Sequence, residues 1–251
     1  HTITNFTAGC PLFEYAVGNF HDLNVTKAKV SNDVSKPTAI LASRGGDIGS
    51  SLTATNLYVQ GSVANTSTNG TGGMFGIIAD ATLDRCAASI NINSNVYDVG
   101  GLFGYDNSKS TVTNCWTSGV VKGDNRYTGG IAGQIYKAET GLYNCFTTCS
   151  ITGKYYFGGI AGSDNLGQKE KESCGTNDPK NHIEKCIAWN DVVKSSLAGG
   201  TDVAEHYSGG AVVGYSALKN YHVDCYRNPG MIFQDCPGNS GNVLCDQMNS
   251  S

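Results

Sequence analysis

Cysteine carries most of the chemical potential of this sequence, and its ten copies fall into two sets. Cys86, Cys115, Cys145, Cys186 and Cys225 each follow a glycine-rich phrase, whereas Cys10, Cys149, Cys174, Cys236 and Cys245 lie outside that rhythm. A zinc site would need close ligand pairs such as CxxC, and none occurs, so no metal site is expected. Ten cysteines in a chain with only 15% charged residues suit an oxidising compartment, which points to a secreted or cell-surface protein. The off-rhythm set holds the disulfide candidates: Cys236 with Cys245 would close a short tail loop, and Cys149 with Cys174 would pin a long polar segment to the body. Spacing leaves the connectivity open. The rhythmic set is expected to be small buried apolar residues with free thiols, because side chains projecting in parallel make the disulfide torsion awkward.

Other chemistry is thinly represented. Polysaccharide cleavage needs carboxylates that project together, or a basic side chain beside a bound metal. Asp106 and Asp164 share a register two residues after a glycine phrase, yet they lie two repeats apart with Ile135 between, and each precedes Asn as turn residues often do. His182, His206 and His222 could meet near the long polar segment, and scattered surface positions account for them equally well. Neither HExxH, GxSxG and EF-hand signatures nor phosphate-cradling glycine patterns occur, so no catalytic or cofactor-binding residue is expected. Sequons at Asn5, Asn24, Asn65, Asn69 and Asn249 are glycosylation candidates, Asn65 and Asn69 foremost. Tyr136, Tyr155, Tyr156 and Tyr207 stand beside glycine phrases, where they would either stack on sugars or pack a corner. A net charge of −4 offers no electrostatic reason for nucleic acid or anionic membrane as partner, and no apolar run approaches membrane-spanning length.

The elements that must position these residues come from a repeat. GGMFG (Gly72–Gly76), GGLFG (Gly100–Gly104), GGIAG (Gly129–Gly133) and GGIAG (Gly158–Gly162) are followed by a slackened GGAVVG (Gly209–Gly214). The second glycines step by 28, 29 and 29 residues and then by 51, which marks an array of stacked units. Leu83, Val112, Leu142 and Ile183 stand three residues before the cysteine column; Val63, Ile92, Val121, Ile151 and Val192 form a second column six after it. Short strands joined by turns, with like positions stacking, explain both columns. With 33 glycines and 5 prolines, and no sustained helical periodicity, the chain reads as strands and tight turns. The paired glycines would serve corners that need positive φ or close backbone approach. The opening at His1, without Met or a signal-like segment, suits a processed chain or a piece of a longer one.

The phrase followed by a hydrophobic-x-x-Cys step, as in VTNCW (Val112–Trp116) and LYNCF (Leu142–Phe146), resembles the GLUG-type repeat. That resemblance covers Gly72 to about Tyr226 and implies a right-handed parallel β-helix in a secreted, adhesin-like or fibrous surface protein, with no catalytic residues in the repeat. The fold class expected is all-β: a β-helix of roughly seven coils over 1–225, with degenerate coils over 1–71 and regular repeats over 72–225 interrupted by an insertion at 163–181. An irregular cysteine-bearing cap or inter-subunit segment would occupy 226–251, because an open solenoid end exposes strand edges that need cover. The expected function is structural or adhesive, without enzymatic activity, and the coil ends would contact further copies or neighbouring domains. Binding or cleavage of polysaccharide along the coil face is the alternative.

Overall fold

The computed structural model describes residues 1–32, 35–136, 139–164, 182–197, 209–215 and 222–234. One unit shows how the local sequence sets the path. Phe75–Ile78, Ala81–Asp84 and Ala87–Ser94 are three short strands separated by two-residue breaks. The breaks fall at Ala79–Asp80 and Arg85–Cys86, and each contains a residue in the left-handed region, Asp80 (φ 45°) and Arg85 (φ 50°). The following unit repeats the plan with Phe103–Asp106, Thr111–Thr113 and Trp116–Gly129.

Equivalent strands pair in parallel, one unit over the next: Phe75 with Phe103, Leu83 with Val112 and Ile92 with Val121. The result is three stacked sheets with no helix among the described residues, a solenoid-like all-β architecture. One sheet has seven strands, from Phe13–Ala16 to Val213–Tyr215; a second has seven, from Gly18–His21 to His222–Val223; the third and widest has fifteen. Thr2–Thr4 and Thr7–Ala8 extend the wide sheet by pairing with Asn24–Asn32.

The interior is a set of side-chain columns. Phe75, Phe103, Leu83, Val112, Leu142 and Ile183 are buried, as are all five cysteines of the rhythmic set. Each fully buried Leu, Ile or Phe contributes roughly 1.5–3 kcal/mol, which is why an in-register stack of them holds the units together. The column after the cysteines runs Val63, Ile92, Val121, Ile151 and then Val193, not Val192. One extra residue after Cys186 shifts the register, so Val193 is fully buried while Val192 pairs outward with Ile232.

The paired glycines serve close approach alone. None of Gly72, Gly73, Gly100, Gly101, Gly129 and Gly130 has positive φ. A Cβ on Gly101 would stand 1.9 Å from the carbonyl oxygen of Gly130, and one on Gly130 would stand 2.2 Å from that of Gly159. Positive φ is supplied elsewhere, by the residue before the cysteine column. Asp22, Asn56, Arg85, Asn114, Asn144, Lys185 and Asp224 all have φ of 50° to 55°. Asn and Asp tolerate that conformation best, and five of the seven are of those types. Their side chains bond along the stack: Asn56 Nδ2 donates to Asp22 Oδ1 at 3.1 Å, Arg85 Nε to Asn56 Oδ1 at 2.9 Å and Asn144 Nδ2 to Asn114 Oδ1 at 3.4 Å.

Two boundaries move. Ser163 ends the strand Ala161–Ser163 and Asp164 is buried beside it, so both belong to the coil body and not to the insertion. Tyr226–Arg227 and Ile232–Gln234 continue the wide sheet by pairing with Ile187–Ala188 and Val192–Lys194, which carries the regular structure past Cys225. The rest of the expected insertion and cap lies outside the described residues.

Candidate binding surface

The left-handed corner turns each cysteine inward, so the next residue points outward on the wide sheet. In successive units that outward position holds Tyr58, Ala87, Trp116, Phe146, Ile187 and Tyr226, aligned by direct pairing. Trp116, Phe146 and Tyr226 are 40%, 36% and 43% exposed. Tyr58 and Trp116 lean together across the small Ala87, with ring centroids 6.2 Å apart. Trp189 adds a further ring, 46% exposed, two residues along the strand direction from Ile187. An exposed line of rings makes this face the candidate contact surface. On one flank runs the left-handed corner column, where the Asn114–Asn144 amide pair stands between Arg85 and Lys185, and on the other stand the outward hydroxyls of Ser89 and Ser118. Rings at four of six positions spaced by about 4.8 Å, beside hydrogen-bonding groups, form a surface suited to a long, hydroxyl-rich polymer.

These rings were legible as the residue after each column position, in LeuTyr, CysTrp, CysPhe and CysTyr pairs, but only the corner geometry reveals that they face solvent. The tyrosines expected to meet sugars are placed differently. Tyr156 is 8% exposed, stacked on Tyr127 with centroids 5.4 Å apart, and Tyr136 and Tyr155 are half-buried. Tyr207 lies outside the described residues.

The cysteine column is buried, and its thiols are free. Cys145, Cys186 and Cys225 have their thiols pushed up, by hydrogen bonds with the neighbouring column thiol first and burial next. Cys86, at the end of the ladder, is shifted down by its hydrogen bond with Cys115. Cys149 is a correction: it is a free, fully buried thiol whose Sγ donates to Thr117 Oγ1 at 3.5 Å. Cys10 is free and exposed, and Cys174, Cys236 and Cys245 lie outside the described residues.

Asn65 is a second correction. It is fully buried, and its amide donates to Thr68 O at 2.8 Å and Thr71 Oγ1 at 3.0 Å while accepting from Ser67 N at 3.1 Å. A glycan there would require breaking all three. Asn5, Asn24 and Asn69 are exposed, and Asn249 lies outside the described residues.

Asp106 and Asp164 are interior, not exposed turn residues. Asp106 accepts from Thr140 Oγ1 at 2.9 Å and from the backbone N–H of Tyr136. Asp164, on the far side of buried Ile135, bonds His222 Nε2 at 2.7 Å, and both side chains of that pair are nearly buried. His222 continues the Leu83–Ile183 column. Burial alone would depress its pKa, but the hydrogen bond and charge of Asp164 outweigh that and raise it. His182 is exposed, and His206 lies outside the described residues. On another face, Asp80 and Glu139 share an open cleft of about 440 Å³ with Lys109. Asp80 is held low by the Ser108 hydroxyl at 2.6 Å and Gly49 N at 3.0 Å, so it is committed to structure. Among the described residues no cluster of three His, Cys, Asp or Glu side chains could hold a metal.

No protein-family model and no curated protein matches the chain. Among solved structures it is similar to a protein of Bacteroides ovatus described as a putative immunoglobulin A1 protease, at 19% identity and a TM-score of 0.58. The likeness covers 90% of this chain and 66% of that one, and at such identity it speaks to the fold alone.

Proposed function

We propose that this chain is an extracellular adhesive solenoid, a right-handed parallel β-helix of roughly seven coils that holds an extended glycan along its aromatic stripe. The stripe of Tyr58, Trp116, Phe146 and Tyr226 is the observation that carries the reading. The rule for parallel crossovers supports the right hand, and the two seven-stranded sheets support the coil number. The surface location rests on low charge and exposed sequons; the seven described cysteines are unpaired and lend it no weight. The GLUG-type resemblance and end-to-end contact with further copies belong to the same reading. Trp116→Ala or Phe146→Ala is expected to weaken retention on a neutral glycan surface about tenfold, roughly 1.4 kcal/mol, with an unchanged melting temperature. Tyr155→Ala should leave retention intact. Equal retention by wild type and both stripe variants would remove the proposal.

A hydrolytic reading has one observation in its favour, the His222–Asp164 pair, in which a carboxylate orients an imidazole. It joins the fold likeness to a protein described as a putative immunoglobulin A1 protease. The thiol nearest in sequence, Cys225, is buried and pushed up, the wrong direction for a nucleophile. Cleavage of immunoglobulin A1 or of a polysaccharide panel, lost in His222→Ala, would establish that reading over the adhesive one.

A further inference from the structure

Away from the stripe, four residues in the left-handed region stack one over another: Gly70 (φ 91°), Asp98 (φ 63°), Tyr127 (φ 65°) and Tyr156 (φ 51°). Pairing of the residues that follow them, Thr71 with Val99, Val99 with Thr128 and Thr128 with Phe157, fixes that alignment. Tyr127 and Tyr156 lie face to face, their planes 12° apart, and Tyr215 closes on Tyr156 with centroids 4.8 Å apart. Gly70 leaves the other side of Asp98 without a side chain. A Cβ on Gly70 would stand 2.9 Å from Gly76 O and 3.2 Å from both Ile77 Cγ1 and Tyr105 Cε1, so the edge of the Tyr105 ring is one of the groups that border that side.

Asp98 therefore follows Gly70 and precedes Tyr127 in the stack, close enough for its charge to act on both Tyr127 and Tyr105. It is only 7% exposed, and its Oδ1 is buried without a hydrogen-bond partner. Arg126 lies against the Tyr127 phenol and Arg44 near Tyr105, and neither is among the charges that act on Asp98. Asp106, the other charge felt by Asp98, is negative. A carboxyl so placed ionises readily only with a cation beside it. Hard metal ions want six or more oxygens, which are not gathered here, and an anionic ligand would be repelled. An ammonium group meets each requirement, because it offers charge to the orphaned oxygen and is attracted to tyrosine faces.

We propose that Asp98, Tyr105 and Tyr127 form a binding site for an organic ammonium group, its charge on Asp98 and its methyl or methylene groups against the two half-buried rings. The proposal stands apart from the glycan stripe and does not depend on it. Empty, the carboxyl is pushed up to about 8, by burial first and by Asp106 next, so near neutral pH it keeps its proton. Ammonium binding at pH 7 transfers that proton to water, and affinity must rise with pH until the carboxyl is ionised and then level off. Tyr105 and Tyr127 are themselves shifted up, by burial first and with a contribution from Asp98, so both phenols stay neutral through that range. Tyr136, which acts on Tyr105, is a phenol as well.

The experiment is calorimetric and NMR titration of the whole chain with tetramethylammonium, whose charge does not titrate, and with n-propylammonium, with n-propanol as the neutral control. Saturable binding of either cation is expected, about tenfold or more tighter at about pH 8 than at about pH 6, with proton release at the lower pH and none with n-propanol. Preference for tetramethylammonium would identify a quaternary ligand, and preference for n-propylammonium a primary amine such as an amino sugar carries. Asp98→Asn, which removes a buried acid and should fold at least as well, is expected to abolish binding, and Tyr127→Ala to weaken it. Absence of saturable binding at about pH 8, binding that ignores pH, or binding retained in a folded Asp98→Asn protein would each overturn the proposal.

Discussion

Gly101→Ala isolates what the glycine phrase is for. The added Cβ would stand 1.9 Å from the Gly130 carbonyl oxygen, where real side chains keep at least 3.0 Å. The stacked backbone must retreat by about 1 Å, and a backbone in a ladder yields less readily than a side chain. That retreat stretches the Gly101 N–H to Gly129 O bond, now 3.1 Å, and displaces the Gly130 carbonyl from Thr117 Oγ1, now 2.7 Å away. Two or three bonds at about 1 kcal/mol each, with some loss of packing, give a cost of roughly 2–4 kcal/mol. Two controls separate the causes. Gly49 has φ of 80° with nothing within 4 Å, so Gly49→Ala meets only the left-handed penalty of about 1–2 kcal/mol. Gly9 has ordinary φ and its nearest atom is Ser31 O at 3.8 Å, so Gly9→Ala should be neutral or slightly stabilising. Urea unfolding followed by tryptophan fluorescence and circular dichroism should rank the midpoints Gly9→Ala, Gly49→Ala, Gly101→Ala, the last about 1 M below wild type. A Gly101→Ala midpoint equal to that of Gly9→Ala would refute close approach as the reason for the paired glycine.

Two further expectations follow from the interior. Alkylation of the native protein with peptide mapping should label Cys10 and spare Cys86, Cys115, Cys145, Cys149, Cys186 and Cys225 until the chain is unfolded; native labelling of the column would contradict its burial. For the His222–Asp164 pair, the raised imidazole pKa means that the stabilisation is fully present below the unfolded value of about 6.5 and is lost as pH rises through the folded one. The gap in melting temperature between wild type and Asp164→Asn should therefore be widest in mild acid and narrow above neutrality. A gap that stays constant or widens with pH would exclude the charged pair.

The repeat wrote the stacking into the sequence. Because a parallel solenoid sets like positions over one another, a period of 28 to 29 residues with aligned Leu, Val, Ile and Cys columns was enough to infer stacked strands and a buried thiol ladder. Local types also signalled the corners: of the two roles open to the paired glycines, close approach is theirs, and positive φ belongs to Asn114, Asn144 and their counterparts. What the tertiary structure decided was direction and company. One left-handed residue turns the cysteine in and the following aromatic out, so Trp116 and Phe146 reach solvent while Tyr156, beside a glycine phrase, is enclosed by its stacked neighbours. A single added residue after Cys186 exchanged Val192 for Val193, because the period-two alternation of a strand turns every side chain over with a one-residue slip. Asn65 bonds only to residues two to six positions on, but its burial comes from stacking between Asn32 and Ser94 of the adjoining strands, and the isolation of Asp98 from a missing partner; no local pattern records either. Period and residue type are properties of the chain taken alone; which way a side chain faces, and what meets it there, exist only once the units are stacked.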